Sequence, residues 1–97
     1  MQIRKGETAY MCSKIKNKTV GKNKHIRFTI LEKIAPQEVA NLFEDDTFYF
    51  YDDVLKGRMI ETNNMKLVGL CITYNDDSTC DIKIKLRRRS VANEGKV

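Results

Sequence analysis

Residue types that commonly carry catalysis are few in this sequence, and they are not arranged in a recognisable catalytic pattern. His25 is the only histidine, and its basic neighbours favour a surface position over a general-base role. The five glycines are scattered and form no phosphate-binding loop. No Ser or Cys stands in a nucleophile-elbow sequence. We therefore predict that the protein is not an enzyme and needs no cofactor, and we infer no small-molecule substrate.

A group of acids is the one place where the sequence could support metal chemistry. These acids flank an aromatic strand and could meet around Mg²⁺ or Ca²⁺, as in a metal-dependent nuclease: Glu44, Asp45, Asp46, Asp52 and Asp53. Adjacent acids at strand ends usually serve as caps and solvated turns. We therefore predict no metal site.

The cysteines and the hydropathy pattern indicate the cellular compartment of the protein. Cys12, Cys71 and Cys80 are an odd number at spacings that match no zinc motif. Free thiols are typical of a reducing compartment. No apolar run reaches the roughly 20 residues of a membrane helix, and residues 1–6 lack the apolar core of a signal peptide. The prediction is a cytoplasmic protein without a membrane partner.

Charge is segregated along the 97 residues, although the formal net charge is only +5. Residues 1–34 hold nine Lys or Arg and two Glu, whereas residues 35–55 hold six acids and no base. The C-terminal residues 87–97 are basic again. A basic segment favours binding to polyanions, and complementary segments also permit contact between copies of the chain. The codon bias implied by abundant Lys, Asn and Ile is typical of an AT-rich bacterial, phage or mobile-element genome.

The elements that must position these charges are mostly strands. The first half of the chain predicts, in order, a strand at 8–12, a mobile basic loop at 13–24, a strand at 25–30, a helix at 36–44 and a strand at 47–51. The helix prediction rests on Pro36 at the first helical position and on a hydrophobic staple between Ile34 and Val39.

The C-terminal half predicts a three-stranded antiparallel meander over 58–62, 65–75 and 79–88. An Asn63-Asn64 turn would place Met59 opposite Val68 and Glu61 opposite Lys66. In the last hairpin, a one-residue slip would bury lysines, so we expect one register only. It pairs Tyr74 with Cys80, Ile72 with Ile82, Leu70 with Ile84 and Val68 with Leu86.

The predicted fold class is α+β, mainly antiparallel sheet with one short helix, either as one curled sheet or as a small partly open barrel. We expect residues 1–97 to form a single small domain, with flexible tails at 1–6 and 90–97.

The outer face of the predicted meander supports two functional hypotheses. The first is a small interaction or assembly module that binds a protein partner, or its own copies, through an apolar strip with a charged rim: Arg58, Ile60, Leu67 and Cys71. The alternative is a nucleic-acid-binding accessory protein that uses a basic strand row together with the 14–24 loop: Lys83, Lys85, Arg87 and Arg89. A third interpretation is a solvated face with no partner, in which basic residues on the last strand discourage edge pairing.

Overall fold

The computed structural model describes residues 1–59, 62 and 64–89. Within them lie two four-stranded antiparallel sheets and one short helix, which confirms the predicted α+β class. The elements in chain order are β1 (Gln2–Lys5), β2 (Thr8–Met11), β3 (Lys16–Val20), β4 (Asn23–Ile30), α1 (Pro36–Leu42), β5 (Tyr49–Asp52), β6 (Gly57–Arg58), β7 (Met65–Tyr74) and β8 (Cys80–Arg88).

The first sheet has the strand order β2-β1-β5-β6. Residues 1–6 were expected to form a flexible tail, but β1 is hydrogen-bonded to a strand on each side. Its Ile3 is fully buried opposite Phe50 of β5, which is also fully buried. A four-residue strand with one apolar position shows too little alternation to be recognised from sequence.

The second sheet has the order β3-β4-β8-β7 and is built around two strands with alternating burial. In β8 every second residue is buried, from Cys80 to Leu86, and β4 shows the same alternation from Ile26 to Ile30. The prediction of a mobile loop at 13–24 was wrong, because β3 pairs with β4 through a tight turn at Gly21, whose φ is +61°. Every residue of β3 is exposed, so the strand leaves no apolar pattern in the sequence.

The register of the last hairpin is as predicted over most of its length. Tyr74 faces Cys80, Ile72 faces Ile82 and Leu70 faces Ile84. A β-bulge at Val68 then shifts the pairing by one residue, so that Leu67, not Val68, lies opposite Leu86. As a result, Leu67 is half-buried against the core, and Val68 is 40% exposed.

The strand that pairs with this hairpin is β4, on the β8 side, and not the segment 58–62. The predicted meander was wrong here, because β6 pairs with β5 in the first sheet and the Met59 N–H donates to the Phe50 carbonyl at 2.9 Å. Met59 therefore does not face Val68. The predicted Glu61–Lys66 pair and the Asn63-Asn64 turn each involve a residue outside those described.

Helix α1 begins at Pro36 as predicted and ends two residues earlier than expected, at Leu42. Its N-cap, Ala35, has no side-chain acceptor, but Glu38 Oε1 accepts a hydrogen bond from the Ala35 N–H at 3.2 Å. Ile34 and Val39, the expected staple pair, are both buried. The apolar side of the helix, with Val39 and Leu42, therefore packs against the core.

One hydrophobic cluster joins both sheets and the helix. Phe28 of β4 meets Phe50 of β5 edge-to-face, with ring centroids 5.1 Å apart. The chain passes between the sheets after β2, where Cys12 bridges Ile30 of β4 while its N–H donates to the Met1 carbonyl. The two sheets share this corner, so the described residues do not form the single curled sheet considered above, and they do not close into a barrel.

Candidate nucleic-acid interface

The outer face of the second sheet presents cations in rows that cross several strands. The pairing aligns Lys16 of β3, Arg27 of β4 and Lys83 of β8 in one row. The next row toward the β3–β4 turn contains Lys18, His25 and Lys85. These residues alternate with the buried positions of β4 and β8, so their side chains leave the sheet on the side away from the core.

A third row completes this surface. Arg87 lies opposite Asn23 on one side and Lys66 on the other, because the bulge at Val68 brings Lys66 into line. We call the resulting surface the basic face and define it by seven side chains: Lys16, Lys18, Arg27, Lys66, Lys83, Lys85 and Arg87.

Carboxylates are scarce on this side of the sheet. Asp81 is the acid that shares the outer face of β8, and it accepts a hydrogen bond from Thr29 Oγ1 at 2.7 Å. Among the described residues, no carboxylate lies within ion-pair distance of any of the seven cations. Directly opposed like charges destabilise a sheet, so this surface is unfavourable until an anion covers it.

Two local contacts orient cations of the basic face. Gly69 lies opposite Lys85, and a β-carbon at Gly69 would stand 3.2 Å from Lys85 Cβ and 3.7 Å from Cδ. The missing side chain therefore leaves room for the aliphatic stem of Lys85 to lie along β7. At the end of the sheet, Arg87 Nε donates to Asn23 Oδ1 at 3.1 Å, which fixes the guanidinium beside β4.

An open cleft of about 500 Å³ lies beside the first row of cations. Its charged lining consists of four cations and one carboxylate: Lys14, Lys16, Arg27, Lys83 and Asp81. The Ser13 hydroxyl oxygen accepts a hydrogen bond from the Thr29 N–H at 2.9 Å, so the segment that enters β3 is tied to β4. The excess of cations over carboxylates in this lining favours an anion in the cleft.

The structure brings together three of the four residues predicted for nucleic-acid binding. Lys83, Lys85 and Arg87 share the basic face with residues of the 14–24 segment, now seen as part of a hairpin. Arg89 is not part of this face, because its guanidinium forms an ion pair with Asp46 in the loop before β5.

The residues predicted for protein binding do not form one surface. Arg58 belongs to the first sheet, with its guanidinium carbon 4.0 Å from the centre of the Tyr49 ring. Leu67 packs toward the core, Cys71 is exposed on the outer side of β7, and Ile60 lies outside the described residues. The apolar strip predicted from the sequence is therefore not assembled by the described residues.

The acids considered as metal ligands are engaged in separate local contacts. Asp45 accepts hydrogen bonds from Thr47, which is the main cause of its lowered pKa, and it also pairs with Lys5. Asp46 pairs with Arg89 and accepts from the Leu67 N–H at 3.0 Å. Asp53 pairs with the N-terminal ammonium. No group of three His, Cys, Asp or Glu side chains suited to a metal occurs within 1–59, 62 and 64–89.

The cysteines differ in exposure, as the predicted register requires. Burial raises the pKa of the Cys12 thiol to about 11 and also raises the pKa of Cys80. Cys71 is exposed on the opposite side of the sheet from Cys80, which excludes a disulfide between them.

Two cations of the basic face were not predicted: Arg27 and Lys66. Lys16 and Lys18 belong to the 14–24 segment that was predicted to contribute, although as a loop and not as a strand. Their spacing of two residues is that of side chains on one face of a strand. The position of Lys66 depends on the bulge at Val68, which no sequence pattern indicated.

Comparison with protein-family models, curated proteins and solved structures finds no match to this chain. None of the helical segments in the described part of the chain is long and apolar enough to cross a membrane.

Proposed function

We propose that the protein is a nucleic-acid-binding accessory module, not an enzyme, and that its basic face holds the phosphate backbone. The observation that supports this most directly is the set of seven cations on one sheet face without a carboxylate partner among the described residues. Each Lys or Arg that neutralises a phosphate releases a cation condensed on the nucleic acid, which makes such binding favourable and dependent on salt.

The chemistry of the face also indicates how the nucleic acid would be held. On the outer side, the aligned positions of the described strands β3, β4, β8 and β7 carry no Phe, Tyr or Trp, and His25 is the single aromatic ring there. The other outer side chains are Lys, Arg, Asn and Thr, with Asp81, Cys71 and Val20. Base stacking needs aromatic side chains, whereas phosphate contacts carry no sequence information. We therefore propose binding without sequence preference, to a duplex at least as well as to a single strand.

Two tyrosines of the first sheet are already stacked against cations. Tyr51 and Tyr49 of β5 are stacked against Arg4 and Arg58 in the first sheet, at 3.7 and 4.0 Å from ring centre to guanidinium carbon. Each ring therefore has one face occupied by a guanidinium. This arrangement supports assigning nucleic-acid contact to the second sheet.

The first test is a fluorescence-anisotropy titration of a labelled mixed-sequence duplex across a salt series. Seven phosphate contacts predict a slope of log K against log [salt] of about −6. Affinity should fall by roughly 10³-fold or more between 50 and 200 mM salt. No binding at low salt, or a slope near zero, would refute the proposal.

Two neighbouring arginines provide a matched pair of variants. Arg87 belongs to the basic face, whereas Arg89 is paired with Asp46. Arg87→Gln should weaken binding by about eightfold at 0.1 M salt and make the slope less steep by about 1. Arg89→Gln removes the same charge and should leave the slope unchanged. Equal effects of the two substitutions would mean that net charge alone, and not this face, controls binding.

The protein-binding hypothesis is kept as a second candidate in its self-association form, which uses the free edge of β7 and not the outer face of the sheet, and is developed below. A cytoplasmic location belongs to the same proposal, because a nucleic-acid partner and unpaired thiols both fit a reducing compartment.

A further inference from the structure

The β7 strand has an unusual free edge. It pairs with β8 on one side, and no described strand pairs with its other side. The Leu67 N–H is taken by Asp46 Oδ1, so the open edge runs from Val68 to Tyr74. Exposed edges are normally protected by being short, by a β-bulge, or by carrying charges or proline.

The other described edges are short or charged, whereas β7 has only the bulge at Val68, at the start of its open segment. The β3 edge carries Lys16 and Lys18, β2 has four residues and β6 has two. Residues 67–75 include no charged residue and no proline. Three apolar or aromatic side chains of this edge segment are 40–48% exposed: Val68, Leu70 and Tyr74.

We infer that the β7 edge is a homodimer interface, in which two copies of the chain pair antiparallel about a two-fold axis at Cys71. The open edge 68–74 and the uncharged run 67–75 share Cys71 as their midpoint. Antiparallel pairing about that point places the uncharged segment of one copy beside the same segment of the other. Leu70 then lies opposite Ile72 of the second copy, on the core side of the sheet.

The charges at the two ends of β7 favour a second copy of the chain as the partner that pairs with this edge. Lys66 precedes the uncharged run, and Asp76 and Asp77 follow it. In the two-fold arrangement the basic start of one β7 approaches the acidic turn of the other, at both ends of the interface. A register moved along the strand in either direction would leave part of the uncharged run facing charged residues.

Dimerisation would join the two second sheets into one eight-stranded sheet with a basic face on either side of the axis. The inference does not depend on nucleic-acid binding and is tested without it. Because the pairing involves one short edge, we expect a small interface and a micromolar dissociation constant.

Sedimentation equilibrium of the full chain from micromolar to submillimolar concentration is the first test. The wild type should show a monomer–dimer equilibrium, and a strict monomer throughout would overturn the inference. Leu70→Lys places a charge on the edge and should weaken the dimer at least about tenfold. Leu55→Lys is the matched control, because Leu55 is 79% exposed in the β5–β6 turn, and it should leave the dimer unchanged. Equal weakening by both variants would contradict the assignment.

Thiol cross-linking tests the register on the unmodified chain. Directly opposed residues of antiparallel strands have Cα atoms about 4.5–5.5 Å apart, within the range that a disulfide can span. Mild oxidation with copper phenanthroline should therefore link two chains through Cys71, and Cys71→Ser should abolish the link. A dimer that forms in sedimentation but does not cross-link at Cys71 would show that the axis lies elsewhere.

Discussion

Reversing the charge of Lys83 should stabilise the fold while it weakens nucleic-acid binding. Lys83 lies directly opposite Arg27, which in turn lies opposite Lys16. Lys83→Glu replaces a like-charge pair at the centre of the first row by an opposite-charge pair. A protein whose surface charges served only its own stability would not show opposite effects on these two properties.

The size of both effects follows from the geometry. The substitution removes the repulsion between Lys83 and Arg27 and adds an attraction between the new carboxylate and Arg27. Each of these interactions contributes a fraction of 1 kcal/mol for an exposed cross-strand pair, so together they should raise the free energy of unfolding by about 0.5–1.5 kcal/mol. Asp81 is two residues away on the same face, at about 7 Å, and opposes this gain only weakly. Loss of one phosphate contact and the added negative charge should reduce duplex affinity at 0.1 M salt by at least about tenfold.

Urea unfolding followed by circular dichroism gives the first quantity, and anisotropy titration gives the second. Lys33→Glu is the control, because Lys33 is exposed in the loop between β4 and α1 and makes the same change in net charge. The control should change affinity much less than Lys83→Glu. A Lys83→Glu protein that is less stable than wild type, or that binds the duplex as tightly, would refute this account of the basic face.

Three further outcomes follow from the core and from the titrating groups. Phe50→Ala, which removes a fully buried ring in contact with Phe28, should lower the free energy of unfolding by about 3–5 kcal/mol in urea. Tyr10 donates a 2.6 Å hydrogen bond to Glu38, which lowers the pKa of Glu38 and raises that of Tyr10 to about 12. Because the pKa of Glu38 is lowered in the folded state, its stabilising effect is present near pH 7 and lost as the pH falls through its folded value. Tyr10→Phe should therefore be less stable than wild type at pH 7, and the difference should vanish in acid. In thiol titration of the native protein, Cys71 should react first, while burial and a raised pKa protect Cys12 and Cys80 until unfolding.

Where burial alternates along a strand, the sequence was sufficient. The alternation from Cys80 to Leu86 predicted the register of the last hairpin as far as the Leu70–Ile84 pair, because a one-residue slip would have buried Lys83 and Lys85. The same pattern identified β4. The helix start was readable because Pro36 and the apolar pair around it are local signals.

The predictions were wrong where a strand has no apolar alternation, or where local sequence does not determine which strand it pairs with. All side chains of β3 are exposed, so its pairing left no apolar trace. The sequence around Gly57 and Arg58 permits a strand but does not say whether β5 or β7 is its neighbour. The bulge at Val68 moved Leu67 inward and Lys66 onto the basic face, and this changed which residues make up the candidate site.

The central claim, that nucleic acid binds the outer face of the second sheet, is tested most directly by an NMR titration of the labelled protein with a short mixed-sequence duplex at low salt. The largest amide shift changes should fall on β3, on residues 23–27 of β4 and on residues 83–87 of β8. Changes concentrated on β1, β5 and β6, or an unchanged spectrum with excess duplex, would contradict it.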